Sequence, residues 1–370
     1  MRTAALLVLL SLAMFGQAPP VKAGKYEVTL RPPADGLWAG EEMQIEYRVV
    51  DASKVDPLMG AAPVIRSQTK SRIDMPLMPS MAALVATAHA EGVPGEYGIH
   101  PVFPHGGEYR LTLQITPPGD TEFEVVFPLQ IADASAVRGR KPKPAAYLAE
   151  LQAQPKSPKA GEPANLQIVV RKREGNQVVR TFDVQHERLM HLIIVRSDLA
   201  VFAHEHPVLG ADGSFSLTYT FPTPGDYHLF ADSAPKEAGG QVLLLKLKVG
   251  GKKLPVPVTR ASLQVLFADA NSTLPAGKTL RLPVSVTDGT SGKPVTNLEP
   301  YLGAQGHLIL IHEDSVSFVH CHPDELDANS GRDGKIAFLA RFPKAGKYKG
   351  WAQFQRGGKV ETVEVTFQAK

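Results

Sequence analysis

Apolar and polar residues alternate along most of the chain with the two-residue period of a strand, and almost nowhere with the period of a helix. Tyr26-Glu27-Val28-Thr29-Leu30, Gln44-Ile45-Glu46-Tyr47-Arg48-Val49 and Tyr109-Arg110-Leu111-Thr112-Leu113-Gln114-Ile115 each put their apolar side chains on one face. Half-buried strands of this kind predict antiparallel sheets with one face on a core. Turn-forming clusters separate them, at Pro117-Pro118-Gly119-Asp120, Asp212-Gly213, Pro224-Gly225-Asp226 and Asp333-Gly334. Only Ala145 to Gln152 hints at a helix, and that segment reads equally well as extended.

One local pattern recurs three times. Gly107-Glu108-Tyr109, Gly225-Asp226-Tyr227 and Gly346-Lys347-Tyr348 each open an apolar strand near the end of a repeating unit. A tyrosine in that place anchors the penultimate strand of an immunoglobulin-like sandwich. The expected fold is therefore all-β, with three tandem immunoglobulin-like β-sandwich domains at residues 24–133, 145–250 and 257–370. A length of 370 residues accommodates three such units. Linkers are expected at Ala134 to Pro144 and at Gly250 to Pro257.

A second repeat carries chemistry. His191 to Pro207 reads HLIIVRSDLAVFAHEHP, and His307 to Pro323 reads HLILIHEDSVSFVHCHP. Eight of the seventeen positions are identical, and three of those are the pairs His191/His307, His204/His320 and His206/His322. Residues i and i+2 of a strand share a face, so His204 and His206 point together, as do His320 and His322. A two-residue turn at Asp198-Leu199 would put His191 opposite His206, and one at Asp314-Ser315 would do the same for His307 and His322. Three imidazoles then converge in each copy. They suit copper, zinc, nickel or iron and leave a position open for another ligand.

Asp232, just beyond the second tyrosine corner, is a candidate fourth ligand; Gln353 aligns with it in the third domain, so the two sites need not be equal. His228 is in phase with Asp232 but is replaced by Lys349. Phe202/Phe318 and Pro207/Pro323 read as core and strand-end residues, and Asp198/Asp314 as turn residues. Metal binding is expected to weaken as pH falls through about 6.5, where free imidazole protonates. The competing interpretation is that the histidines are surface strand residues with no ligand.

Composition adds limits. The net charge of +3 is spread along the chain, which argues against nucleic acid as a partner. Residues 1–23 read as an export signal, with Arg2, an apolar run from Ala4 to Phe15 and Val21-Lys22-Ala23 at the cleavage site. A periplasmic or extracellular location follows, with no membrane insertion after cleavage. Cys321, the single cysteine, rules out an intramolecular disulfide and alternates away from its neighbouring histidines.

The first domain has no such histidine hairpin but carries Met75, Met78 and Met81 among prolines that exclude a helix interior. Thioethers suit Cu(I), although methionines also fill cores. Met75-Pro76-Leu77-Met78-Pro79-Ser80-Met81, followed by Pro94-Gly95-Glu96-Tyr97 and the Gly-x-Tyr strand, resembles the YtkA-like and FixH-like group of exported sandwich domains. It departs from that group in having no histidine directly after the methionines. The second and third domains resemble a module of exported bacterial proteins linked to heavy metals, with a histidine, a hairpin and Phe-x-His-x-His-Pro. These resemblances imply an immunoglobulin-like fold and a copper-handling context.

The expected function is metal binding for sequestration or delivery, with copper, as Cu(I) or Cu(II), or zinc at the histidines and methionines. The expected partner besides the ion is a membrane metal transporter or another exported protein. No nucleophile or acid–base pair points to an enzyme. The alternative is a structural protein whose sandwiches present loops to a partner.

Overall fold

A computed structural model describes residues 19–33, 36–79, 81–91, 93–133, 145–236, 238, 240–252, 262–324, 327 and 330–370. Most of the expected export signal, all of the first expected linker and part of the second lie outside these residues. The described chain is all-β apart from two single-turn 3-10 segments. No helix among the described residues is long and apolar enough to cross a membrane.

Three sandwiches follow one another. In the first, one sheet runs in the order Val21–Ala23, Tyr26–Arg31, Ile45–Asp56, Glu96–Ile99, His89–Ala90. The facing sheet runs Leu37–Trp38, Phe123–Ala132, Gly107–Thr116, Gln68–Asp74, Leu84–Thr87. Strict alternation drives their packing: Tyr26–Arg31 buries every second residue, and Val28, Leu30, Tyr47 and Val49 meet Leu111, Leu113 and Ile115 in one core. In the second sandwich Tyr147–Gln154, Pro163–Lys172, Ser214–Thr220 and Val208–Leu209 form one sheet. The other sheet has Phe182–Asp183, Gly225–Pro235, Met190–Arg196 and Phe202–Glu205, with Gln241–Val249 also on Gly225–Pro235. The ambiguous segment at Ala145 is thus extended, not helical. The third sandwich repeats this plan. There Phe318–Pro323 pairs with His307–His312 and, at His322 and Pro323, with Lys335–Arg341, which joins the two layers into one continuous ladder.

The tyrosines behave alike in all three. Tyr109, Tyr227 and Tyr348 are buried, and each hydroxyl donates to the carbonyl four residues earlier, on His105 at 3.0 Å, Thr223 at 2.7 Å and Lys344 at 2.9 Å. The preceding Gly107, Gly225 and Gly346 have φ of 148°, 146° and 135°, a conformation that a Cβ would strain.

The second and third sandwiches are not beads on a string. Met190–Arg196 is buried at every position but Arg196, and His307–His312 is buried throughout. A strand of an isolated sandwich would bury one face. Here the second face is covered by the other domain, in a cluster of Ile193, Val195, Leu199 and Phe230 with Ile309, Ile311 and Trp351. The contacts are reciprocal, as at an isologous dimer interface. Phe202 stacks on Trp351 with centroids 4.6 Å apart, and its counterpart Phe318 stacks on Phe230 at 5.1 Å. Lys349 Nζ donates to the carbonyl of Leu199 at 2.9 Å, and His228 Nδ1 to that of Ser315 at 2.6 Å. The expectation that Phe202 and Phe318 fill their own cores is therefore corrected. They are half-buried on the outer face and complete the interface.

Trp351 is 2% exposed in this cluster. Trp351→Ala should cost about 3–5 kcal/mol of stability, the range for emptying a large aromatic site. Leu266→Ala, at a position 68% exposed, should stay within about 0.5 kcal/mol. Urea denaturation of both variants measures the difference, and a Trp351 loss no larger than the control would mean the paired domains do not hold one another.

A candidate metal centre between two domains

The hairpins that carry the histidines close more widely than a two-residue turn. Arg196 N–H donates to Val201 O at 3.2 Å and His312 N–H to Ser317 O at 3.0 Å, so each loop holds four residues. Leu199 and Ser315 take positive φ of 59° and 57° within them. Two extra residues leave the strand phase unchanged, because side chains alternate with period two. The ladder pairs Ile193 with His204 and Leu192 with Glu205, which continues to His191 opposite His206. In the second copy Ile309 pairs with His320 and Leu308 with Cys321.

Hydrogen bonds decide the tautomers. His191 Nε2–H donates to the carbonyl of Gln185, six residues earlier, at 3.0 Å. That carbonyl opens the tight turn Gln185-His186-Glu187-Arg188, whose central residues have φ of 45° and 64°. A neutral imidazole has one donor and one acceptor nitrogen, so Nδ1 of His191 carries a lone pair. It faces His204 Nε2 at 3.0 Å. His204 Nδ1 in turn donates to Gln353 Oε1 of the third domain at 2.7 Å, and the Gln353 amide is oriented by its own Nε2–H bond to Thr362 Oγ1 at 3.2 Å. His204 Nε2 is then an acceptor too.

Two lone pairs at 3.0 Å do not bond each other. They do fit a shared cation after a small outward shift: two nitrogens each about 2.0–2.1 Å from one ion lie about 3.3–3.4 Å apart at a tetrahedral angle. His206 completes the group. Its Nε2 is buried without a hydrogen-bonding partner, and the ligand atoms of His191, His204 and His206 all lie within 4.8 Å of one another. These three residues form a site able to hold a metal ion.

The second copy repeats the arrangement. His307 Nε2–H donates to the carbonyl of Tyr301, again six residues earlier, at 2.9 Å, and its Nδ1 faces His320 Nε2 at 3.2 Å. His320 Nδ1 donates to Asp232 Oδ2 of the second domain at 3.1 Å. The side chain of His322 lies outside the described residues.

Asp232 therefore has a different place from the one expected of it. It is the cross-strand neighbour of His191, yet its carboxylate turns across the interface and orients a histidine of the other domain. Gln353, the cross-strand neighbour of His307, does the same in the opposite direction. Each half supplies the outer support for the other half's histidines. Such support fixes ring orientation and raises ligand basicity, more so from a carboxylate than from an amide. The two half-sites also touch: the rings of His191 and His320 have centroids 5.6 Å apart, and those of His204 and His320 6.1 Å.

Sequence reading missed His186. Its ring lies 5.5 Å from that of His307, 5.9 Å from His320 and 6.1 Å from His191, so it sits where the half-sites meet. Leu302 occupies its place in the second copy, so the repeat gave no signal for it; the only clue was its position in the turn ahead of His191. Cys321 points away, buried in the core of the third sandwich, which pushes its thiol pKa up. Met75 and Met78 are buried and Met81 half-buried in turns that follow the strand Gln68–Asp74.

Burial sets the protonation of the centre. It lowers His191, His206 and His186 to about 4 and His307 to about 3, and pushes His204 well below its ordinary value. It raises the Asp232 carboxyl to about 7. The expected competition between protons and metal near pH 6.5 is thereby displaced toward acid.

The fold and site define a tandem of immunoglobulin-like sandwiches, two of them paired over a histidine-lined centre. The chain belongs to the family DUF8832, a domain of unknown function, which matches it twice, at residues 146–250 and 263–370. Those copies are the two paired domains; the first domain lies outside them. No curated protein matches the chain in sequence. Among solved structures it is similar to a Ca2+-stabilized adhesin with which an Antarctic bacterium binds ice, at 8% identity over 94% of this chain and 74% of that one, with a TM-score of 0.20. It is also similar to the FN1–FN3 domains of chicken CNTN1, at 10% identity over 92% and 97%, with a TM-score of 0.19. Escherichia coli alpha-2-macroglobulin is a third, at 12% identity over 98% of this chain and 23% of that one, with a TM-score of 0.22. At these scores none bears on the site.

Two outcomes are expected. In the metal-free protein, the lowered pKa values mean that unfolded histidines bind protons, below about 6.5, that folded ones refuse until about 4. That stability is full above pH 6.5 and is lost as pH falls toward 4, offset in part by the raised Asp232 carboxyl, which the folded state protonates first; with several histidines against one carboxyl, denaturation midpoints measured in the presence of a chelator should drop across that window. Separately, Asp232→Asn should weaken the site around His307 and His320 by about 10–100-fold, although the residue belongs to the other domain. Calorimetric Zn(II) titration that finds both affinities unchanged would contradict the crossed support.

Proposed function

We propose that this is an exported protein that holds a late transition metal, copper foremost, at the centre between its second and third sandwiches, for sequestration or delivery. One observation carries the reading: His191 Nδ1 and His204 Nε2 turn lone pairs toward each other at 3.0 Å while both outer nitrogens donate to fixed acceptors. An all-imidazole site suits copper, zinc and nickel, and neutral imidazoles in an apolar interface favour a cation of that group over a hard one such as calcium. Buried rings that stay neutral well below pH 6 retain their ligating lone pairs in acidic surroundings. The export-signal pattern in residues 1–23 supports a periplasmic or extracellular site of action. A membrane metal transporter or another exported protein fits as the donor or acceptor of the ion. We read the protein as a binder, since the described residues around the centre supply ligands and their supports.

The test is retention. Protein incubated with Cu(II) or Zn(II) and then dialysed exhaustively should keep metal by elemental analysis, and the His204→Ala/His206→Ala variant should keep at least one equivalent less. Wild-type protein that emerges metal-free would sink the reading.

A further inference from the structure

The first domain closes over the histidine centre, and a cavity of about 120 Å³ lies between them. Met75, Met78 and Met81 line it, and so do His186, His191 and His320. The contact is fixed by Arg341 of the third domain, whose Nε donates to Asp133 Oδ2 of the first at 3.1 Å, and by Leu339, which joins the first domain's core. Sequence alone separates the methionines from the histidines by an entire domain boundary. The fold brings both to one cavity.

We propose that this cavity is a Cu(I)-accepting chamber, in which the three thioethers take the ion and pass it to the imidazoles in the same lining. The proposal rests on the metal-binding reading of the histidines and adds the route and oxidation state. Size limits the occupant. Water takes about 30 Å³ of liquid volume per molecule, so the space holds an ion or a few waters and falls well short of the several hundred cubic ångströms typical of an organic-ligand pocket.

The methionines lie in one short run, and Met75 and Met78, which also pack in the first domain's core, reach the cavity lining together with Met81. Met78 N–H donates to Met75 O at 3.0 Å and Met81 N–H to Met78 O at 3.1 Å, so two successive turns repeat the same side chain every three residues. Pro76 and Pro79 between them keep the run out of a helix interior. A wall needing only volume could be built of leucine, as Leu77 in the same lining illustrates. Thioether sulfur adds softness, the property that selects Cu(I) over divalent ions. The one guanidinium at the wall, that of Arg341, is engaged by Asp133, which lessens its repulsion of a cation. The step is ligand exchange, sulfur for nitrogen. It changes no oxidation state and needs no reductant beyond whatever delivers copper as Cu(I).

The full-length chain is titrated anaerobically with Cu(I) from a chromophoric Cu(I) chelator, and separately with Zn(II), beside the Met75→Leu/Met78→Leu/Met81→Leu variant. Leucine conserves most of the packing volume. The variant should bind one Cu(I) fewer and the same number of Zn(II). Equal Cu(I) binding overturns the chamber and leaves the histidine centre standing, whereas failure of the wild type to bind either metal removes both. Loss of Zn(II) together with Cu(I) would show that the methionines only support the fold of the centre, and also overturns the proposal. Should the variant not fold, X-ray absorption of the wild type saturated with Cu(I) decides: copper–sulfur scattering is expected, and with Cys321 buried in the core of the third sandwich it belongs to methionine, whereas nitrogen-only coordination at saturation overturns the assignment.

Discussion

The structure depends on two strands that are buried on both faces. Met190–Arg196 and His307–His312 each belong to a sandwich core on one side and to a shared apolar seam on the other. Burial on two sides removes water from the ends of these strands as well as from their middles, and the ends are where His191 and His307 stand. Polar groups so placed must find partners in the protein. They find them in turn carbonyls of their own domain, and the facing His204 and His320 find theirs in side chains of the opposite one. The seam therefore does more than hold two domains together: it creates the dry, hydrogen-bonded surroundings in which imidazoles stay neutral.

The crossed contacts of Asp232 and Gln353 make the centre a property of the pair. Neither half carries the full set of groups that orient its rings. Moving one domain relative to the other would release the outer nitrogens of His204 and His320 and leave them unpaired in an apolar seam, a cost of about 1–3 kcal/mol for each buried polar group. Domain pairing and ring orientation thus reinforce each other. The first domain adds a third wall through the Asp133–Arg341 ion pair and Leu339, so the approach to the histidines is framed by all three sandwiches.

Much of this was legible in the chain. Alternation gave the strands, and Gly-x-Tyr gave three corners with the same hydroxyl-to-carbonyl bond. The histidine hairpins kept the anticipated phase because the actual four-residue loops have the parity of the two-residue turn expected at Asp198 and Asp314. What lay hidden were contacts between repeats. Phe202 and Phe318 alternate like core residues, and nothing local shows that the core they serve is on the other domain. Asp232 was legible only by its place beyond the tyrosine corner; its bond to His320 of the other domain has no local signal. His186 escaped because Leu302 breaks the repeat at that position. The methionines could be read only as a local cluster, since the histidines that share their cavity stand far along the chain.

The difference between His186 and Leu302, and between Asp232 and Gln353, has a further meaning. In a dimer of identical subunits every substitution is made twice, and the two faces of the seam can only change in step. Joining both halves in one polypeptide lifts that restriction. One half can gain a carboxylate or an extra imidazole while its counterpart keeps an amide or a hydrocarbon, so a near-symmetric scaffold acquires a direction.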